Sequence, residues 1–309
     1  MQALRAVAVG TVVGLTWLAG CAEKPQRSNQ AADENATRSH ENLAVNVDAV
    51  DPKARVYILN WQIPGDADRT VRVNGVPVSV GLQSGVRPLA PYLKPGTNTI
   101  RVKVAGPAGT ASDDVTVKLL AGKDSRSIWQ DPDIVWTAGD RSGEEKAALD
   151  ESFKLEVRHM HRWPWIDADQ VTQLAATDRK AILARIDAMH RALIDKDARR
   201  FCSLSMCPAI RAYVAAAFSR SPEAGMKEAV TWLQGIMASD NYKVSRADRA
   251  AIRIEPCGHL TVVTAPGDIL EADRTTESSD GASTTRSGIR GGRMYFFRKA
   301  DTWHCFKTD

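Results

Sequence analysis

Met294-Tyr295-Phe296-Phe297-Arg298-Lys299-Ala300-Asp301-Thr302-Trp303-His304-Cys305-Phe306 is the stretch that decides the fold class. Met294 and Phe296, then Trp303 and Cys305, recur with the period of two that marks a strand with one buried face. Ala300-Asp301 between them reads as the turn of a closing hairpin. Upstream, Ile252 with Ile254 and Leu260 with Val262 repeat the same period. Before these strands the period changes. Ile182, Leu183, Ile186, Met189, Leu193 and Ile194 fall at three-and-four spacing, the apolar stripe of an amphipathic helix. Thr177 or Asp178 would cap it, and Asp195-Lys196-Asp197 would end or bend it. Pro208 stands at the first position of a second helix running to Phe218, and Pro222 opens a third with Met226, Val230, Leu233 and Met237 on one face. Helices followed by an antiparallel meander predict an α+β domain over residues 169–309.

The first half is written in strands. Val56 and Ile58, Val71 and Val73, Ile100, Val102 and Val104, then Val115, Val117 and Leu119 all alternate with polar or smaller residues. Asn74-Gly75 is a strong hairpin signal, since a type I′ turn needs positive φ at both central residues. Pro88, Pro91, Pro95-Gly96, Pro107 and Gly109 punctuate the rest. Tyr92-Leu93-Lys94-Pro95-Gly96-Thr97-Asn98-Thr99-Ile100 resembles the turn-into-strand element of immunoglobulin-like sandwiches, which implies a small β-sandwich over residues 45–122. Residues 123–168 read as an interdomain segment. Within it Ser142 and Glu145 suggest a capped helix through Glu144 to Glu151, and Phe153, Leu155 and Val157 suggest a strand ending at Trp163-Pro164-Trp165. The tryptophans there, with Trp129 and Trp136, read as packing residues whose indole N–H is tied to a carbonyl, or as a ligand platform.

Two resemblances reach further. Leu18-Ala19-Gly20-Cys21 ends an apolar run, Ala6 to Trp17, preceded by Arg5, and resembles the lipobox of bacterial lipoproteins. It implies a signal peptide over residues 1–20 and a lipid on Cys21. The run is shorter than the roughly 20 apolar residues a membrane span needs. Residues 21–44 are polar and poor in large apolar groups, a composition that predicts a flexible tether. Ala22 stands where an Asp would favour inner-membrane retention, so the resemblance implies anchoring to the outer membrane, facing the periplasm. The C-terminal order, together with Ala192-Leu193-Ile194-Asp195-Lys196-Asp197-Ala198, resembles the nuclear-transport-factor-2 (SnoaL-like) superfamily. It implies a cone-shaped α+β fold, which serves enzymes and noncatalytic modules alike.

Cleavage before Cys21 would leave 289 of the 309 residues, room for about two domains. A net charge of +4 from 41 basic and 37 acidic residues gives no argument for a nucleic-acid partner. Cys202, Cys207, Cys257 and Cys305 remain, an even number that in an exported chain suggests two disulfides, with Cys202–Cys207 and Cys257–Cys305 the favoured pairing and a zinc site the rival. His159-Met160-His161 on a strand would place two imidazoles on one face about 7 Å apart. A third ligand could come from His190, His259 or His304, or both histidines could be ordinary polar groups beside Arg158 and Arg162. His190 could also serve as a general base in a cone cavity, but Asp187 makes no ready-made dyad with it. Arg274 to Arg293 (RTTESSDGASTTRSGIRGGR) reads as a long Ser/Thr/Gly-rich loop, with Arg286, Arg290 and Arg293 as candidate partner-binding residues.

No nucleophile elbow, S-x-x-K or paired-carboxylate signature appears, and no cofactor or metal is expected. The expectation is a noncatalytic lipoprotein that binds a protein. With Trp163-Pro164-Trp165 leading into helices, its architecture resembles periplasmic immunity lipoproteins that neutralise secreted toxins. Binding of a lipid or cell-wall fragment in the cone, and a metal-dependent hydrolase built on His159 and His161, are the alternatives.

Overall fold

Alternation decides most of the N-terminal half, where eight strands form among the described residues: β1 (Val56–Gln62), β2 (Asp68–Val73), β3 (Val76–Val78), β4 (Ser84–Pro88), β5 (Gly96–Ala105), β6 (Thr116–Gly122), β7 (Asp133–Ala138) and β8 (Ala148–Val157). The computed structural model describes residues 53–63, 67–78, 84–105, 115–123, 127–138, 148–160, 163–205, 222–277 and 284–308. The expected signal peptide, Cys21 and the expected tether lie outside the described residues, as do Cys207, His161 and the helix expected from Pro208. No helix among the described residues is long and apolar enough to cross a membrane.

The strands form two antiparallel sheets, ordered β4-β1-β6-β7 and β3-β2-β5-β8. They pack face to face over one core: Leu59, Trp61, Val117 and Leu119 meet Val71, Val73, Ile100, Val102 and Leu155. On β1 it is Tyr57, Leu59 and Trp61 that point into this core. Ile58 faces the other way with Leu120, beneath Ile128 of a short helix α1 (Ser127–Gln130). Asn74 and Gly75 both have positive φ, 54° and 83°, and close the β2–β3 hairpin as the sequence predicts. Buried Asn98 accepts from Lys94 N and from Asn74 Nδ2 and donates to the Lys94 and Gly96 carbonyls, fixing the turn into β5.

The sheets take in β7 and β8, which the sequence assigns to the connection after residue 122. β8 also runs through Ala148–Glu151, where a helix is expected. Pairing with the ten-residue β5 outweighs the local capping signal there, because each added residue extends an existing ladder.

The C-terminal half opens with α2 (Ala176–Ile194), α3 (Ala198–Ser205) and α4 (Pro222–Met237). Asp178 accepts from Ala175 N at the head of α2, and Lys196, at φ 56°, ends it. Seven strands follow among the described residues: β9 (Lys243–Arg246), β10 (Arg253–Cys257), β11 (Leu260–Thr264), β12 (Leu270–Glu277), β13 (Thr284–Gly291), β14 (Arg293–Lys299) and β15 (Thr302–Thr308). They form sheets β10-β11-β14-β15 and β13-β12-β9, antiparallel throughout. Ala300 and Asp301, at φ 48° and 59°, make the final turn. The helices bury Ile182, Met189, Leu193, Phe201 and Leu233 against Met294, Phe296, Trp303 and Leu270. The fold is mixed α+β with antiparallel sheets.

The other face of the β10–β15 sheet joins the first core. Leu260, Val262, Tyr295, Phe297 and Phe306 pack there with the N-terminal strands. Tyr295 donates its hydroxyl to the Pro77 carbonyl at 2.9 Å and meets Tyr92 edge-on at 5.2 Å. Trp163 and Trp165 both pack edge-on to Phe306, and their indoles donate to the Ala90 and Pro91 carbonyls. This is the packing role expected of them. Trp136 stacks on Phe153, whereas Trp129 is 60% exposed and packs little.

Candidate functional site

Leu270 and Ala272 alternate into the helix-packed core, so β12 is held as the middle strand of its sheet, between β9 and β13. β13 is paired in register from Thr284 opposite Glu277 to Gly291 opposite Leu270. Gly288 sits opposite Asp273, where a Cβ would collide with the Ala272 carbonyl oxygen and the Asp273 backbone. Only glycine permits this approach, which locks the register of the hairpin. The segment read as a long loop is therefore strand for most of its length, with residues 278–283 outside the described residues. β-branched Thr275, Thr276, Thr284 and Thr285 suit a paired strand, and their polarity hides it from a search for apolar alternation.

The candidate arginines are thereby placed: Arg286 opposite Thr275, Arg290 opposite Glu271, and Arg293 at the start of β14 opposite Thr264. Among the described residues β13 pairs only with β12, so its other edge is open. From Gly281 to Arg293 the sequence carries three arginines and no acidic residue. α4 packs beside this hairpin: Arg274 Nη1 donates to the Gly235 carbonyl at 3.2 Å, and Trp232, one turn earlier, is 51% exposed. An open edge strand, arginines and an exposed tryptophan are the elements from which protein interfaces draw their binding energy. Sequence periodicity could not have found Trp232, because it lies off the apolar face of α4.

The described histidines form no metal-capable group. His159 is exposed in the turn after β8 rather than on a strand. His259 donates from Nδ1 to the Ala168 carbonyl at 2.8 Å. His304 is buried and stacked on Phe297 at 5.1 Å, and burial, with the positive charges of Arg185 and Lys299, pushes its pKa down to about 4. His190 is half-buried, and burial and Arg246 hold its pKa below the usual value. Asp187, on the same helix, is taken by Arg246 and Arg249 and so is not oriented as a partner for it. No group of three or more metal-capable side chains occurs among the described residues.

The expected Cys257–Cys305 bond is not formed, and no disulfide occurs among the described residues. Cys257 is on β10 and Cys305 on β15, with two strands between them. Three interstrand steps span about 14 Å, twice what a disulfide allows. The two thiols also sit on opposite faces, Cys257 packing on the first core and Cys305 within the helix-packed one. The Cys202–Cys207 pairing lies outside the described residues through Cys207.

One ion-pair network ties α2 to the last hairpin. Arg298 bridges Asp169 at 3.0 Å and Asp178 at 3.3 Å, and the Trp303 indole donates to Asp178 at 3.0 Å. That hydrogen bond is the largest reason the Asp178 carboxyl is held below its usual range. The network pins the start of α2 to the last hairpin.

No family model, no curated protein and no solved structure matches this chain.

Proposed function

We propose that this chain is a noncatalytic lipoprotein, anchored through a lipid on Cys21 to the outer membrane and facing the periplasm. It binds a protein, in the manner of an immunity protein that neutralises a secreted antibacterial toxin. In fold terms the reading takes the N-terminal sheets as an immunoglobulin-like sandwich and the C-terminal half as a cone of the nuclear-transport-factor-2 type. The open, basic edge of β13 beside the exposed Trp232 carries the reading. An acidic extended segment of the partner could add to that edge through main-chain hydrogen bonds, with the arginines selecting for charge.

The lipid- or fragment-binding alternative draws less support. The space between helices and sheets, where a cone would hold its ligand, is occupied by Met189, Phe201, Met294, Phe296 and Trp303, all buried.

The test is capture by the mature chain carrying Cys21→Ser, from lysate and secreted fractions of its own organism, beside the Arg286→Glu/Arg290→Glu variant. The expected result is one near-stoichiometric protein, lost by the variant, together with toxin sensitivity when the gene is deleted. No captured protein and unchanged sensitivity would refute the reading. Capture undiminished by the variant would refute the edge as its site.

A further inference from the structure

Three of the five large hydrophobic side chains most exposed among the described residues are Val86 at 41%, Trp129 at 60% and Ile134 at 60%. All three lie at the outer face of the β4-β1-β6-β7 sheet, away from the core. Cross-strand register lines up Pro88, Ile58, Leu120 and Ile134 in one row across the four strands. Ile128 of α1 covers the middle of that row, leaving exposed Pro88 at one end, Ile134 at the other, and Val86 one step along β4 beside Asn60. Trp129 follows Ile128 on the same helix. A single exposed apolar residue needs no explanation; a row ending in Ile134 with a tryptophan beside it does.

The chain enters the sheet at this place. Val56, the first residue of β1, packs with Ile58, Leu120 and Ile128 and pairs with Gly122, where a Cβ would lie 2.7 Å from Ile128. Arg55, just before β1, pairs with Asp133 at the start of β7, next to Ile134. Thirty-five residues separate Cys21 from Val56, so a lipid on Cys21 cannot lie more than about 120 Å from this patch. The charges around the patch are mixed: Lys53, Arg55, Lys118 and Lys123 stand with Asp131 and Asp133. Apolar insertion, more than attraction to anionic headgroups, is what this composition favours.

We infer that the outer face of the β4-β1-β6-β7 sheet, with Trp129 and Ile134 as its most exposed apolar side chains, docks on the lipid surface from which the chain is tethered. The inference rests on the lipid-anchor reading above for its biological setting, though the surface itself can be tested without the lipid. Tryptophan suits the headgroup boundary because its ring is apolar and its N–H stays wet. A lipid anchor and a second, weak contact together hold a body at a membrane more firmly than either alone.

The experiment uses the mature chain with Cys21→Ser and vesicles of phosphatidylethanolamine and phosphatidylglycerol. Binding is read by co-sedimentation and by quenching of tryptophan fluorescence with brominated lipid. The expected result is sedimentation that falls about tenfold or more in Trp129→Ala/Ile134→Ala, as the loss of two inserted apolar side chains requires. It should not change in Trp232→Ala, and Trp129→Phe should remove most of the quenching. Unchanged urea midpoints show that the surface variants fold. No sedimentation at millimolar lipid, or sedimentation and quenching indifferent to Trp129 and Ile134, overturns the inference. So does a protein partner found to cover Trp129 in place of lipid. Metabolic labelling of Cys21 with a fatty acid separates the two readings. Label without vesicle binding leaves the anchor and removes the docking face; vesicle binding without label does the reverse.

Discussion

Trp163→Phe tests whether the two halves share one core. Trp163 is fully buried, packs edge-on to Phe306 at 5.8 Å and donates its indole N–H to the Ala90 carbonyl. The substitution keeps an aromatic ring but removes the donor. The Ala90 carbonyl still accepts from Leu93 N at 3.2 Å, so the penalty sits at the low end, about 1 kcal/mol. The smaller ring leaves a void of roughly 40 Å³, worth about 1 kcal/mol more. The total is about 2 kcal/mol. With a urea slope of about 3 kcal/mol per molar for a chain of this size, the midpoint should fall by about 0.7 M. Tryptophan fluorescence and far-ultraviolet dichroism should report one coincident transition in both proteins, because Phe306 and Tyr295 belong to the same cluster as Leu59 and Ile100. A shift below about 0.2 M, or two separate transitions in the unsubstituted protein, would refute the reasoning.

Stability should also fall in acid through His304. Its folded pKa of about 4 lies below the ordinary 6.5, so the unfolded chain takes up its proton first, and about 3 kcal/mol present above pH 6.5 is lost as pH drops toward 4. Urea midpoints across that window should show the slope, and His304→Phe should flatten it; an unchanged slope would exclude His304 as its source. Gly288→Ala should loosen the β12–β13 hairpin, seen as faster amide exchange in β13, because the Ala272 carbonyl cannot yield. Gly235→Ala, on the open side of α4 with nothing within 4 Å, should instead stabilise by about 0.5–1 kcal/mol; a lowered urea midpoint would refute this. Arg286→Thr/Arg290→Thr should let β13 pair with a second copy: antiparallel pairing about Gly288 sets position 286 against 290, and like charges there oppose it. Sedimentation velocity should show a monomer becoming a dimer, and a dimer already formed by the unsubstituted protein would count against the edge as a guarded surface.

The hairpins were legible because their turns are encoded locally. Asn74-Gly75 and Ala300-Asp301 need only two residues in the left-handed region, and both adopt it. The helical stripes of α2 and α4 were legible because burial repeats every three or four residues. Faces were harder to read. On β1 both sides are apolar, so alternation pointed to Val56 and Ile58 while Tyr57, Leu59 and Trp61 entered the main core. The fate of the cysteines was not legible, since parity says nothing of which strand lies beside which. The polar strand β13 was hidden for a related reason. Its place is set by β12, by the close approach at Gly288 and by the helices behind, none of which its own composition announces.

The shared core gives the two proposed surfaces a common consequence. Had the sandwich been joined to the helical half by a free linker, docking one on a membrane would leave the other to tumble. Instead Trp163 and Trp165 are bonded to the Ala90 and Pro91 carbonyls and packed on Phe306, and Tyr295 reaches from β14 to the Pro77 carbonyl beside β3. Orientation imposed on the outer face of β4-β1-β6-β7 is thereby passed to β14 and β15, and through the helix-packed core to β12 and β13. A body fixed at the two proposed points, lipid and Trp129, would present the β13 edge in a restricted set of directions. The orientational freedom lost in binding a partner is then partly lost beforehand, which raises affinity without any added contact. Trp163 and Trp165 therefore bear on binding as well as on stability, although they act through the shared core.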